Sequence, residues 1–326
     1  MADTTAFITL ENISKQFPGV LALDNVNLTL RKGEVHCLAG QNGCGKSTII
    51  KVISGVYHPE KGAQILLDGK LFHHLTPQLS SHYGIQVIYQ DLSLFPNFSV
   101  AENIAVNRYL PGGDIWVRRG AMKQQALAAM KRIGVNIDPD KKVEKLSIAD
   151  RQLVAICRAI AADARLVIMD EPTASLTRQE VNGLLKVVNE LKAAGICVVF
   201  VSHRLDEVME VADRISVMRD GKLVGTYPAS ELDSHELAFL MTGQRFHYSP
   251  LPEKSFDDRE PLLELRNLSR RGKYQNINLS LHGGEIVSIV GLLGAGRTEL
   301  CLSLFGMTQP ESGEMRINGQ PVTLRN

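Results

Sequence analysis

One stretch limits what this chain can fold into more than any other: Gly40-Gln41-Asn42-Gly43-Cys44-Gly45-Lys46-Ser47-Thr48. It matches in full the pattern Gly-x-x-x-x-Gly-Lys-Ser/Thr, a loop that works only between a buried strand and a helix. Both flanks comply. Val35-His36-Cys37-Leu38-Ala39 is an apolar run of strand length, and Ile49, Ile50, Val52 and Ile53 recur at helical spacing. The fold class expected is therefore α/β. Glycines at 40, 43 and 45 let successive N–H groups face one anion, and the helix opening near Lys46 points its positive end at the same place. The expected ligand is a nucleoside triphosphate, with Lys46 reaching its β- and γ-phosphates and Ser47 ligating Mg²⁺.

The same text recurs later in the chain. Asn27 to Val35 returns as Asn278 to Ile286, and the glycine loop returns as Gly291-Leu292-Leu293-Gly294-Ala295-Gly296-Arg297-Thr298. His58-Pro59-Glu60-Lys61-Gly62 is matched by Gln309-Pro310-Glu311-Ser312-Gly313. This divides the chain into a first unit over 1–243, a linker over 244–261 and the start of a second unit over 262–326. Pro250, Pro252, Ser255, Asp257 and Asp258 break the apolar periodicity of the linker. The second unit stops shortly after its Asn318-Gly319-Gln320 turn, with too few residues to cover both faces of a parallel sheet, and is expected to be marginal alone.

Within the first unit, Phe7–Ile13 and Leu21–Leu30 alternate as strands joined by Ser14 to Gly19. That places Phe17 on the connection, where it either stacks on a base or packs as an ordinary loop aromatic. Ile85–Tyr89 reads as a buried strand ending at Gln90, and residues from about 91 to 147 as a helical subdomain that includes a helix over Ala121–Ile133. Leu166-Val167-Ile168-Met169-Asp170-Glu171 is a continuous apolar strand with two carboxylates at its C-terminal end, where α/β proteins place ligands. The bland alternative is that the acids cap a helix opened by Pro172-Thr173. Downstream of the glycine loop, Asp170 suits a water-mediated Mg²⁺ contact and Glu171 suits general-base or water-orienting work on the γ-phosphate. Ile196–Val201 is a second such strand and delivers Ser202-His203.

Composition removes several classes of function. With a formal charge of +1, the basic pairs Arg118-Arg119, Lys141-Lys142 and Arg270-Arg271 read as solvated surface, and nucleic acid is not an expected partner. Cysteines 37, 44, 157, 197 and 301 show no C-x-x-C spacing, so neither a disulfide framework nor a zinc site is expected and a reducing compartment fits. Cys44, at a helix N-terminus, is either a reactive thiol or a small packing residue. His73-His74 lack acidic or cysteine partners nearby and read as a polar loop. No leader-like start and no stretch of about 20 apolar residues is visible, so a membrane role is expected to come through partners.

Together these motifs resemble the ATP-binding-cassette ATPases, over 7–243 and again from about 262. The resemblance implies a cassette with an antiparallel β subdomain and a helical subdomain. It casts Phe17 as the adenine-stacking aromatic, Gly40 to Thr48 as the Walker A loop, and Gln90 as the Q-loop glutamine that senses Mg²⁺ and the γ-phosphate. Leu146-Ser147-Ile148-Ala149-Asp150 takes the signature position, Asp170 and Glu171 complete Walker B, Ala174-Ser175-Leu176-Thr177 form the D-loop, and His203 is the switch histidine. ATP and Mg²⁺ are the implied cofactors. Glu171, His203, Gln90 and Lys46 are the implied catalytic set, and Ser47, Gln90 and Asp170 surround the metal.

Phe17-Pro18-Gly19-Val20, the run Glu171 to Thr177 and Gly294-Ala295-Gly296-Arg297-Thr298-Glu299 are similar to the bacterial monosaccharide importers of the ribose, xylose, arabinose and galactose type, with galactofuranose importers as the nearest likeness. The implied partners are two membrane permease subunits, a periplasmic sugar-binding protein, and a second ATPase copy or the rest of the second cassette. The implied place is peripheral, at the cytoplasmic face of the inner membrane. Two departures matter. Ile148, Ala149 and Asp150 replace Gly-Gly-Gln, which hinders close backbone approach and sets a carboxylate near phosphate. Arg297 replaces the loop lysine with a bulkier planar fork. One competent and one degenerate site are expected. The rival readings are a nucleotide-binding assembly module with little hydrolysis and, below it, a soluble tandem-cassette ribosome factor, which would carry a long charged linker and intact signatures.

Overall fold

The computed structural model describes residues 6–109, 118–245, 259–292 and 294–322. It divides into two compact units, Met1–Phe246 and His247–Asn326. Most of the expected linker, including Pro250, Pro252, Ser255, Asp257 and Asp258, lies outside the described residues, as do Leu293 and part of the expected helical subdomain, 110–117.

The first unit opens with an antiparallel hairpin, β1 (Ala6–Phe17) and β2 (Val20–Arg31). Next comes β3 (Val35–Gly40), buried along its whole length, which runs through the glycine loop into α1 (Lys46–Ile53). β4 (Gln64–Leu67) and β5 (Lys70–Phe72) return to the hairpin and complete a four-stranded antiparallel sheet in the order β2-β1-β4-β5. α2 (Pro77–His82) begins with proline at its first position and Thr76 as cap, two independent start signals.

β6 (Ile85–Ile88) leads into the helices α3 (Val100–Tyr109), α4 (Arg119–Arg132) and α5 (Ile148–Ala161). The chain then alternates: β7 (Leu166–Asp170), α6 (Arg178–Ala193), β8 (Cys197–Val201), α7 (Leu205–Val211), β9 (Arg214–Arg219), β10 (Lys222–Pro228) and α8 (Ser234–Thr242). The second sheet has the order β10-β9-β3-β8-β7-β6 and is parallel except for the β9–β10 pair.

Both faces of this sheet are covered, which is why β3, β7 and β8 read as unbroken apolar runs. Val35, Cys37, Val167, Met169, Val198 and Phe200 belong to a core shared with α5 and α6. Leu38, Ile168, Cys197 and Val199 belong to a second core shared with α1 and the antiparallel sheet. Arg165, one residue ahead of β7, clamps the two sheets together. Its guanidinium forks onto Asp68 in the β4–β5 turn at 2.9 and 3.0 Å and lies 4.8 Å from the Phe7 ring centroid.

The second unit contains β11 (Leu263–Arg270), β12 (Tyr274–Leu281), α9 (Arg297–Leu304), β13 (Ser312–Ile317) and β14 (Gln320–Pro321). Its sheet, β12-β11-β13-β14, repeats the antiparallel sheet of the first unit. The repetition extends to backbone irregularities. Asn12 and Asn267 both take left-handed φ and donate their N–H to Asn27 and Asn278 side chains at 2.9 Å. Asn25 and Asn276 are also left-handed and donate to the hydroxyls of Ser14 and Ser269. Asparagine tolerates that conformation better than most residues, so each pair pins a strand irregularity in place.

The parallel sheet does not recur. Residues 285–292 form no strand, although their counterpart is β3, and Ile286 is 90% exposed and Val290 85% exposed. A strand of the β3 kind exists because β8 and β9 flank it, and the described residues of the second unit provide no parallel neighbour. Its buried core is correspondingly small: Leu265, Leu268, Tyr274, Leu300 and Met315.

Candidate functional site

Register brings three strand ends together. Leu38 of β3 lies beside Val201 of β8, and Val201 beside Asp170 of β7. The segments that follow, Gly40–Lys46, Glu171 and Ser202-His203, therefore converge at one edge. A cleft of about 390 Å³ opens there, lined by the glycine loop, Ser47, Thr48, Asp170 and Glu171.

Glycine is required in the loop for specific steric reasons. Gly45 precedes α1 with φ +105°, and a Cβ on it would sit 2.6 Å from the Ala22 carbonyl oxygen. A Cβ on Gly40 would meet the Met218 carbonyl oxygen at 2.4 Å and Cys44 Sγ at 2.5 Å. The loop is thus pressed against β2 and β9. The helix has no side-chain cap, and the N–H groups of Gly43, Gly45 and Ser47 have no acceptor among the described residues. Orphan donors at a helix start are what a phosphate satisfies.

Lys46 is buried, and its Nζ donates to the carbonyls of Gly40 at 2.7 Å and Gln41 at 2.8 Å. The ammonium is held inside the loop, with its charge at the cleft. Cys44 is buried in the core shared with α1, where burial pushes its thiol up against the opposing pull of Lys46, an environment that fits a packing residue. Asp170 is raised by burial and then by the charge of Glu171, with Lys46 and Lys51 pulling the other way. Glu171 adopts a left-handed φ of 49°, donates its N–H to the Val201 carbonyl at 3.0 Å and brings Oε1 within 3.3 Å of His203 Nδ1. The hydroxyl of Ser47 and the carboxylate of Asp170 line one cleft, an all-oxygen donor set suited to Mg²⁺.

Other expected residues lie further out. Phe17 is the last residue of β1, paired with Val20, and not part of a longer connection. Its ring packs edge-on against Tyr57, 5.2 Å between centroids, with Lys15 Nζ 5.6 Å above it. Gln90 is exposed, in a turn two residues beyond β6. Because Ile88 pairs with Met169, that turn lies level with Glu171, one strand out from the cleft. At the signature position, Ser147 caps α5 by accepting the Asp150 N–H at 3.1 Å. The Asp150 carboxylate thus sits in a first turn, where the helix dipole favours it, and Ile148 is exposed.

The brace behind the loop escaped sequence reasoning. Asp220-Gly221, the turn between β9 and β10, accepts from the Asp24 N–H at 2.9 Å and donates from the Gly221 N–H to the Cys44 carbonyl at 3.2 Å. Its signal was present, since Asp-Gly between alternating apolar residues marks a tight hairpin. In the second unit Gly296 precedes α9 with φ +81°, yet Arg297 is exposed where Lys46 is buried.

Known proteins share this architecture. The ABC transporter family model matches residues 23–174 and 274–326. A ribose import ATP-binding protein (RbsA 3) of Rubrobacter xylanophilus is 42% identical over 319 residues, covering 98% of this chain and 64% of the relative. A putative ribose/galactose/methyl galactoside import ATP-binding protein of Agrobacterium fabrum is 41% identical over 324 residues, covering 99% and 64%. The chain therefore spans less than two thirds of the length of these relatives. Among solved structures, the ADP conformation of MJ1267, an ATP-binding cassette of an ABC transporter, matches with TM-score 0.64 and 28% identity over 73% of this chain and 96% of that one. A nucleotide-free cassette of an ABC transporter gives the same TM-score at 27% identity, over 74% and 96%. With the glycine loop, the paired acids and the histidine converging as they do, and with the family match falling on both repeats, this chain belongs to the ABC transporter family.

Proposed function

We propose that the chain binds and hydrolyses ATP to energise import of a monosaccharide through separate membrane permease subunits. The observation that carries this reading is the convergence of a clasped Lys46 with Asp170 and Glu171 at one cleft, with His203 against Glu171. The loop N–H groups and Lys46 would bind the phosphates, and Ser47, Asp170 and Gln90 would hold Mg²⁺. When bound, that cation offsets charge on the β- and γ-phosphates. Glu171 would orient or deprotonate the attacking water, His203 would hold Glu171 and sense the γ-phosphate, and Phe17 would stack on the base.

No helix among the described residues is long and apolar enough to cross a membrane. The names of the relatives, import ATP-binding proteins, support a peripheral place on the cytoplasmic side, with a periplasmic sugar-binding protein completing the system. The names of the relatives support a monosaccharide of the ribose or galactose type. Ile148 and Asp150 at the signature position favour a second reading, a nucleotide-binding module with little turnover of its own.

The test is Mg²⁺-dependent ATP hydrolysis and ATP binding by the 326-residue chain and its Glu171→Gln variant. Turnover that the substitution abolishes while binding persists is the expected result. Binding without turnover in the unaltered chain selects the second reading, and no ATP binding refutes both.

A further inference from the structure

α7 places a carboxylate where the solvent does not reach: Glu207 is 1% exposed. At the third position of a helix, a glutamate ordinarily turns back to the cap N–H. Here the Arg204 N–H is taken by Ser202 Oγ at 3.0 Å, and Glu207 points elsewhere. Its Oε2 accepts from Thr173 Oγ1 at 2.5 Å and from Ser202 Oγ at 3.2 Å, while Oε1 accepts from Arg204 Nη1 at 2.7 Å. Thr173 and Ser202 are buried as well.

Thr173 lies two residues after Glu171, and Ser202 lies one residue before His203. One oxygen atom therefore ties together the two turns that carry the Glu171–His203 contact. We infer that Glu207 is a positioning residue that fixes the separation of Glu171 and His203 through Thr173 on one side and Ser202 on the other. This rests on the reading of Glu171 and His203 as the γ-phosphate machinery. Glu207 itself does not line the cleft, and its hydrogen bonds go to Thr173, Ser202 and Arg204 and not to Glu171 or His203. A buried carboxylate serving α7 alone would need only Arg204, and the bond to Thr173 spans 34 positions of sequence.

The test compares the full chain with Glu207→Gln, Thr173→Val and Thr173→Ser. Two readouts are used: Mg²⁺-ATP turnover, and the imidazole resonances of the labelled histidines, with His203→Ala assigning one peak and Glu171→Gln giving the shift that marks loss of the contact. Expected for Glu207→Gln and Thr173→Val is movement of the His203 resonance towards its Glu171→Gln position. The His36 resonance and the unfolding midpoint stay in place. In Thr173→Ser, which keeps the hydroxyl, the resonance stays at its wild-type position. Where turnover is measured, kcat falls on the order of 10–100-fold with KM for ATP nearly unchanged, as expected for lost positioning.

An unmoved His203 resonance in Glu207→Gln and Thr173→Val overturns the inference. So does a change that spreads to His36 or collapses the unfolding midpoint in both, which would make Glu207 purely structural. Absence of turnover in the unaltered chain refutes the hydrolytic reading of the site, while the His203 resonance still decides whether Glu207 sets the contact.

Discussion

Adding one methyl group to the glycine loop separates two ways in which glycine can matter. At Gly45, φ is +105° and the new Cβ falls 2.6 Å from the Ala22 carbonyl oxygen, 2.9 Å from Leu23 Cδ2 and 3.1 Å from Met218 Cε. The two side-chain atoms can yield, but the carbonyl belongs to β2 and is fixed by the sheet. At Gly43, φ is +80° and nothing lies within 4 Å of the Cβ position. A left-handed φ costs an alanine about 1–2 kcal/mol, and forcing an atom into close-packed surroundings adds about 1–3 kcal/mol. Gly43→Ala should therefore cost about 1 kcal/mol and Gly45→Ala about 3 kcal/mol.

The excess must be relieved by moving the start of α1 away from β2, and that movement displaces Lys46 and Ser47. Urea unfolding followed by circular dichroism measures the stabilities, and calorimetric titration with Mg²⁺-ATP measures the site. The reasoning predicts that Gly45→Ala loses both stability and nucleotide affinity, while Gly43→Ala loses much less of the first. Equal stabilities for the two variants, with equal affinities, would refute the steric account of the loop.

Two other outcomes follow from the charges. The Arg165 hydrogen bonds, helped by Lys32, hold Asp68 from the ordinary 3.8 down to about 2. A lowered folded value means the stabilisation is present above 3.8 and is lost as pH falls through about 2. Because both partners are substantially solvated, Asp68→Asn should cost only about 1 kcal/mol at pH 7, and the difference from the unaltered protein should vanish between about pH 4 and pH 2 in unfolding experiments. Asp170 has the opposite sign. Burial and Glu171 raise its pKa, so its ionised form is penalised at neutral pH and relieved as pH falls through the folded value. Asp170→Asn should leave the ligand-free protein as stable or slightly more stable, while the gain in ATP affinity on adding Mg²⁺ falls roughly tenfold or more in a titration with and without the cation.

What could be read in the sequence was whatever is encoded by short spacing. β3, β7 and β8 announced themselves because burial on both faces demands unbroken apolar runs, and the glycine loop carries its own strand and helix. β1 was harder. Ser14-Lys15-Gln16 look like a loop, yet they belong to a strand two of whose register shifts fall at left-handed Asn12 and, across the hairpin, Asn25. Phe17 consequently ends a strand. Residues 285–290 show the reverse failure, for their composition is that of a strand while the hydrogen-bonding neighbours that would make it one lie in no described part of that unit. Glu207 was invisible because nothing in the spacing of a helical glutamate reveals a partner 34 positions away, beyond the end of the neighbouring strand.

The paired asparagines of the two hairpins have a consequence for how the chain avoids mispairing with itself. Strands that share a sequence pattern within one polypeptide invite exchange during folding, a hazard common to tandem repeats. β1 and β11 carry the same pins, Asn12 with Asn27 and Asn267 with Asn278, so each would accept the other's partner over part of its length. Strand length breaks the tie. β1 and β2 have 12 residues each and β11 and β12 have 8 each, so a swapped pair leaves the outer part of β1 without a ladder and the Phe17–Val20 end of the hairpin unformed. The extra length at the tip of the first hairpin thus discriminates self from copy, and the edge-on contact of Phe17 with Tyr57 forms only when that discrimination succeeds.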